Sequence, residues 1–269
     1  MPDPASPGGR IDAELVRRGL TRSRALAVRA IDDGRVTVDG VSALKASLRV
    51  GPDAVLAIDG EDRWVSRSAG KLAAALDVFD VTTGGRLALD VGASTGGFTQ
   101  VLLERGARGV IALDVGHGQL VPQLRADQRV HVVEGVNARD LTTEGLAAAA
   151  GTVDVPGLVV ADLSFISLGL VLPALVQTVG AAADFVLLVK PQFEVGRTGI
   201  REGVVRDRQA RHDAVSGVLW SAWDLGLPTA GVVSSTVVGT NGNQEYLVWL
   251  SAAVGGNPTE WGGAIDALA

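Results

Sequence analysis

Leu87-Ala88-Leu89-Asp90-Val91-Gly92-Ala93-Ser94-Thr95-Gly96-Gly97-Phe98 runs from an apolar stretch through an acid into a glycine-rich bend. The apolar part reads as a buried strand, and a helix is expected to start near Thr95. Glycine in such a bend lets the backbone approach a ligand where a side chain would clash. Working outward, apolar runs at 86–91, 109–113, 130–134, 157–161, 184–190, 230–237 and 246–250 read as seven strands. Amphipathic or buried helices fill most of the gaps between them. That alternation predicts an α/β fold, a Rossmann-like sheet of seven strands wrapped by helices on both faces. In such sheets ligands sit at the carboxyl ends of the strands.

The chain has 269 residues, 47% of them apolar and only 4% aromatic, so its core must rest on Ala, Val and Leu. It contains no cysteine, which excludes disulfides, thiolate metal sites and a cysteine nucleophile. His117, His131 and His212 show no metal-ligand spacing, so no metal is expected. The start lacks a charged segment followed by an apolar run, as a secretory signal would require. Gly169–Val189 is apolar for roughly the length of a membrane span. Pro173, Gln177, Gly180 and Asp184 interrupt it, and it reads better as a buried helix followed by a buried strand. A cytoplasmic monomer without membrane contact is the expectation.

A net charge of −6 weighs against a nucleic-acid partner, because phosphate binding leaves a basic footprint. Distribution qualifies the sum. Between positions 10 and 35 stand seven arginines (10, 17, 18, 22, 24, 29, 35) against four acids, Asp12, Glu14, Asp32 and Asp33. Residues 1–9 read as a disordered leader. From there to residue 60 a small α+β domain is expected. Ile11, Leu15 and Val16 recur at helical spacing up to Gly19. Ser23 caps a second helix with Ala27, Val28 and Ile31 inward and Gly34 at its end. Val36–Val38, the Asp39-Gly40 turn and Val41 form a hairpin, and Ala54–Ile58 adds a strand. Residues 61–66 read as a linker, 67–254 as the large domain and 255–269 as a C-terminal extension.

The bend of residues 92–97 reads GxxxGG, which does not fit the GxGxxG of dinucleotide sites. A carboxylate at Asp90 is also a poor neighbour for a pyrophosphate. It suits the cationic amino-acid end of S-adenosyl-L-methionine, directly or through water. Asp114, ending the second strand, is placed to accept hydrogen bonds from a ribose diol, and Asn137 to meet an adenine amino group. The cofactor set is then Asp90, Gly92, Ala93, Ser94, Thr95, Gly96, Gly97, Phe98, Asp114, Asn137 and Asp162. A generic glycine turn is the alternative.

The fourth strand leads into Asp162-Leu163-Ser164-Phe165-Ile166-Ser167, and the fifth ends in Lys190-Pro191. A lysine acts as a base when burial and a nearby positive charge favour its neutral form. Lys71 is expected to supply that charge, and Glu245 to steer both amines. Lys71, Asp162, Lys190 and Glu245, in that order, resemble the catalytic tetrad of FtsJ-type ribose 2′-O-methyltransferases. Arg10-Ile11-Asp12, Ser23-Arg24, Gly34-Arg35-Val36 and Val38-Asp39-Gly40 resemble a small RNA-binding fold first described in a ribosomal protein. Ser66-Arg67, Gly70-Lys71-Leu72, the 90–99 bend and Lys190-Pro191-Gln192-Phe193-Glu194 extend the likeness over nearly the whole chain, which is similar to the TlyA family, sometimes labelled haemolysins.

The resemblance implies methylation of a ribose 2′-hydroxyl of ribosomal RNA, with cytidine as the nucleotide. It implies RNA contacts at Arg22, Arg24, Arg29 and Arg35, with Arg10 and Arg67 beside them, unless these are a solvated helix face. The arginine-rich stretch 195–211 either extends that RNA surface or is a polar lid. Competing readings are an RNA-binding factor without turnover, a membrane-active protein, and methylation of a base nitrogen.

Overall fold

A computed structural model describes residues 9–21, 23–32, 34–43, 45–58, 64–196, 203–239 and 242–269. The chain divides into two units, Met1–Arg63 and Trp64–Ala269.

In the second unit the strands are β6 (Leu87–Val91), β7 (Gly109–Asp114), β8 (Val130–Glu134), β9 (Leu158–Ala161), β10 (Asp184–Val189), β11 (Thr229–Ser234) and β12 (Tyr246–Leu250). They form one sheet in the order β11-β12-β10-β9-β6-β7-β8. Pairing is parallel except around β12, which runs antiparallel to both β10 and β11. The chain winds outward from β6 to β7 and β8, then returns to place β9 on its other side. That reversal between β6 and β9 leaves a crevice at their carboxyl ends, the usual place for a ligand.

Side chains alternate across a strand, and both faces of this sheet are apolar. Leu87, Leu89, Val91, Val159, Ala161, Phe185 and Leu187 pack on one side. They meet α6 (Thr143–Ala150), α7 (Leu172–Val179), α9 (Arg208–Trp223) and α10 (Gly262–Leu268) through residues such as Leu146, Leu175, Val215 and Ile265. Ala88, Val110, Ala112, Leu158, Val160, Val186 and Leu188 pack on the other. There α3 (Ser68–Phe79) and α4 (Gly97–Glu104) cover them with Leu72, Leu76, Phe98 and Leu102. Two short helices, α5 (Pro122–Arg125) and α8 (Pro191–Glu194), follow β7 and β10.

The first unit has its own core of Ile11, Leu15, Ala27, Ala30, Ile31, Val36, Ala43 and Val50. Helices α1 (Ile11–Arg17) and α2 (Arg24–Asp32) precede a three-stranded sheet of β2 (Val36–Val38), β3 (Val41–Ser42) and β5 (Leu56–Ile58). Asp39 and Gly40 both take positive φ, as a two-residue hairpin turn requires. Val28 is only half-buried, and Ala30 takes the inward place instead.

Several expectations need adjustment. The leader expected over 1–9 lies outside the described residues except for Gly9, which is in β1 (Gly9–Arg10), paired with β4 (Arg49–Val50). Positions 61–63 of the expected linker also lie outside them, and Trp64 and Val65 pack with the second unit's core. The expected extension 255–269 is part of that unit. Gly256 bridges to Thr229, the Trp261 indole donates to the Thr229 carbonyl at 3.1 Å, and Ile265 is buried in the core. The helix expected near Thr95 starts two residues later, because Gly96 at φ +100° forms its N-cap. The stretch 169–189 is α7 and β10, and no helix among the described residues is long and apolar enough to cross a membrane.

Candidate active site

Strand parity decides which polar groups meet. Asp90 shares its face of β6 with Ala88, so its carboxylate points into the apolar layer beneath α4. Asp162 and Lys190 continue the same parity past the ends of β9 and β10, and Glu245 does so just before β12. Lys71 stands on α3, which covers that face. Alternation along the strands sets the side for Asp90, Asp162, Lys190 and Glu245, and α3 brings Lys71 to the same side.

Four of the five form two ion pairs. Lys71 Nζ meets Glu245 Oε2 at 2.5 Å, with both groups buried. Lys190 Nζ meets Asp162 Oδ1 at 2.7 Å and donates to Ser164 Oγ at 2.9 Å. The second charge expected beside Lys190 is thus an ion-paired one, and Glu245, expected to steer both amines, pairs with Lys71. Glu245 neutralises Lys71 at contact distance, so the pair is a dipole with little net field. Ser164 is a partner of Lys190 that the sequence reading missed; only its place two residues past Asp162 would have signalled it.

Gly92 closes β6 at φ +82°, and a Cβ there would stand 2.7 Å from the Asp162 carbonyl oxygen. No other residue type lets β6 and β9 come this close. Gly96 and Gly97 serve packing instead. Added Cβ atoms would overlap Leu120 and Leu124 at 96, and Ser66 and Ser68 at 97. Gly92, Ala93, Ser94, Thr95, Phe98, Ser66, Ser68, Asp162, Ser164 and Lys190 line a cavity of about 170 Å³. A larger one of about 450 Å³ adjoins it and shares Gly92, Ser94, Asp162 and Ser164. Its walls include Asp114, Gln119, Asn137, Leu163 and Phe165. Asp90, Gly96 and Gly97, expected at the ligand, and Lys71 and Glu245, expected at the reacting centre, line neither cavity.

Asp90 is fully buried. Its Oδ2 accepts the Thr99 hydroxyl at 2.6 Å, while Oδ1 has no partner among the described residues. Burial pushes the carboxyl up to about 7, against the Thr99 bond and with help from the charges of Asp162 and Asp114. Asp114 is held by backbone N–H donors, from Ser94 at 2.8 Å and Gly116 at 2.7 Å. An ionised carboxylate has further lone pairs for a ligand. Asn137 lines the larger cavity, with its Oδ1 accepting the Arg139 N–H at 3.1 Å.

In the first unit, Arg10 and Arg24 share one buried acid. Arg10 reaches Asp12 at 3.1 Å and Arg24 at 2.8 Å, and both guanidiniums stay largely exposed. The arginine pair draws the Asp12 carboxyl down to about 2. Arg35 is half-buried and Arg67 is exposed on the second unit. Arg22, the side chain of Arg29 and residues 197–202 of the arginine-rich stretch lie outside the described residues. No group of three or more potential metal ligands occurs among the described residues.

Residues 64–252 match the FtsJ-like methyltransferase family, and residues 9–56 match the S4 domain. The 16S/23S rRNA (cytidine-2′-O)-methyltransferase TlyA of Mycobacterium tuberculosis is 52% identical, over 90% of this chain and 89% of its own length. Hemolysin A of Brachyspira hyodysenteriae is 35% identical over 88% of this chain and 98% of that one. A solved structure from Streptococcus thermophilus that carries a hemolysin name superimposes with a TM-score of 0.75 at 36% identity. It covers 98% of this chain and 96% of its own. The chain belongs to the TlyA family, an FtsJ-like methyltransferase domain preceded by an S4 domain.

Proposed function

We propose that the protein transfers a methyl group from S-adenosylmethionine to a ribose 2′-hydroxyl of ribosomal RNA, with cytidine as the nucleotide and Lys190 as the base. One observation carries the reading: the Lys190–Asp162 and Lys71–Glu245 pairs stand on one face of the sheet, the first of them against the glycine bend. The S4 match and the names of the curated relatives support ribosomal RNA as the substrate and the cytoplasm as the place of action.

The residues present fit the cofactor. The unpartnered Oδ1 of Asp90 below the bend suits a cationic amino-acid end, reached through water or the loop backbone. Asp114 suits a ribose diol, Asn137 an adenine edge, and Leu163 and Ala138 its apolar faces. When bound, this group supplies a methyl carried on a sulfonium, open to in-line attack.

The chain's own work is then to bind, orient and move one proton. Lys190 Nζ, after shedding the proton it holds in its ion pair with Asp162, accepts the proton of the attacking hydroxyl, and Asp162 balances the ammonium that re-forms. Proton transfer of this kind contributes about 10²–10⁴-fold. Ser164 keeps the amine turned toward the cavity. The Lys71–Glu245 pair orients the incoming hydroxyl from the α3 side. Alignment of the reacting atoms supplies much of the remainder, up to about 7–11 kcal/mol.

The test is incubation with methyl-labelled cofactor and ribosomal subunits, followed by nucleoside digestion and mass spectrometry. Label in a 2′-O-methylcytidine is expected. Label on a base, or none with cofactor affinity intact, removes the reading. Dye-loaded liposomes that leak on adding the protein, equally with a Gly92→Ala variant, would favour the membrane-active alternative.

A further inference from the structure

The ladder between β9 and β10 ends at Ala161 opposite Leu187. Beyond it the two loops that carry Asp162 and Lys190 are stitched together by side chains. At the near end Lys190 holds Asp162 and Ser164. At the far end Glu194 accepts the Ser167 hydroxyl at 2.5 Å and the Leu168 N–H at 2.9 Å. Leu168 begins a short 3-10 turn, and its N–H would otherwise be a buried orphan of the kind a helix start must satisfy. Between the two stitches Phe165 sits at φ +66° and is 91% exposed, with its ring 5.3 Å from that of Phe193. An exposed phenylalanine in left-handed backbone is held there by its surroundings. The two stitches are the fixed points on either side of it.

We infer that Glu194 is a positioning residue of the active centre, pinning the far end of loop 162–168 so that Asp162 and Ser164 meet Lys190. It touches neither cavity and acts through the loop. Burial raises its carboxyl above the ordinary range, while the two donated hydrogen bonds oppose that rise. Both oxygens are committed to the neighbouring loop. A misplacement of about 1 Å at a reacting group costs about 10²-fold, so losing this pin should slow transfer without emptying the site of reacting groups. The inference rests on the methyl-transfer reading above.

The experiment is single-turnover methylation of ribosomal subunits at saturating cofactor by the full chain and its variants, with urea midpoints measured in parallel. Glu194→Ala should be at least tenfold slower. Glu194→Gln should retain at least a third of the rate, because its amide oxygen accepts from Leu168 and its amide nitrogen donates to Ser167. Combining Ser167→Ala with Glu194→Ala should slow transfer by less than the product of the two single losses, although Ser167 also caps the 3-10 turn through the Gly169 N–H. Wild-type rates for Glu194→Ala, equal losses for Gln and Ala, or a loss in the double variant equal to that product would each overturn the inference. If Glu194→Ala does not fold, Ser167→Ala decides: a several-fold loss supports the pin and an unchanged rate overturns it. A wild-type protein that methylates nothing would sink the methyl-transfer reading itself, a distinct outcome.

Discussion

Asp90→Asn should gain stability relative to wild type as pH rises from 4 to 8. In the folded protein the Asp90 carboxyl is fully buried and pushed up to about 7, against 3.8 in an unfolded chain. A carboxyl raised on folding leaves the folded state holding more protons, so its contribution is fully present below about pH 4 and is lost as pH rises through 7. A shift of about 3 units at about 1.4 kcal/mol per unit gives a loss on the order of 4 kcal/mol across that window. Asparagine does not titrate, and its side-chain oxygen still accepts from Thr99. Its stability relative to wild type should therefore improve by a few kcal/mol between pH 4 and pH 8. All five tryptophans, at 64, 220, 223, 249 and 261, lie in the second unit. Urea unfolding of cofactor-free protein followed by tryptophan fluorescence thus reports on that unit alone. Parallel stability curves for the two proteins over pH 4–8 would refute the reasoning.

Gly92→Ala combines a positive φ with a Cβ 2.7 Å from a backbone oxygen; it should cost about 1–3 kcal/mol and at least tenfold in cofactor affinity, read by urea unfolding and calorimetry. Lys71→Ala strands the buried Glu245 carboxylate and should destabilise by about 3–5 kcal/mol. Replacing Glu245 by leucine in the same chain should restore part of that loss. Ile265→Ala should cost about 2–5 kcal/mol if the last helix is core, and nothing measurable in thermal unfolding if it is an appendage.

The sheet was legible because both its faces are covered, which makes the central strands near-continuous apolar runs, while the edge strands β8 and β11 are more mixed. All seven strands lie within three residues of their sequence-read ends. The sheet order and the meeting of Lys71 with Glu245, 174 positions apart, rest on pairings no local pattern encodes. The four chemistry-bearing residues were legible through motif order. Their pairing was not, so the neutralisation of Lys71 emerged only from the structure. The terminal helix escaped notice because its burial depends on one residue, Ile265, in a stretch rich in glycine and alanine. Glu194 and Ser164 were visible as residues of matching motifs, but their roles depend on loops that side chains alone join.

The most direct measurement is the single-turnover rate of Lys190→Ala on ribosomal subunits, with its cofactor affinity determined alongside. Removal of the proton acceptor should cut the rate by about 10²–10⁴-fold in a variant that still folds and still binds the cofactor. A rate near wild type in a folded, cofactor-binding variant would contradict the assignment of Lys190 as the base.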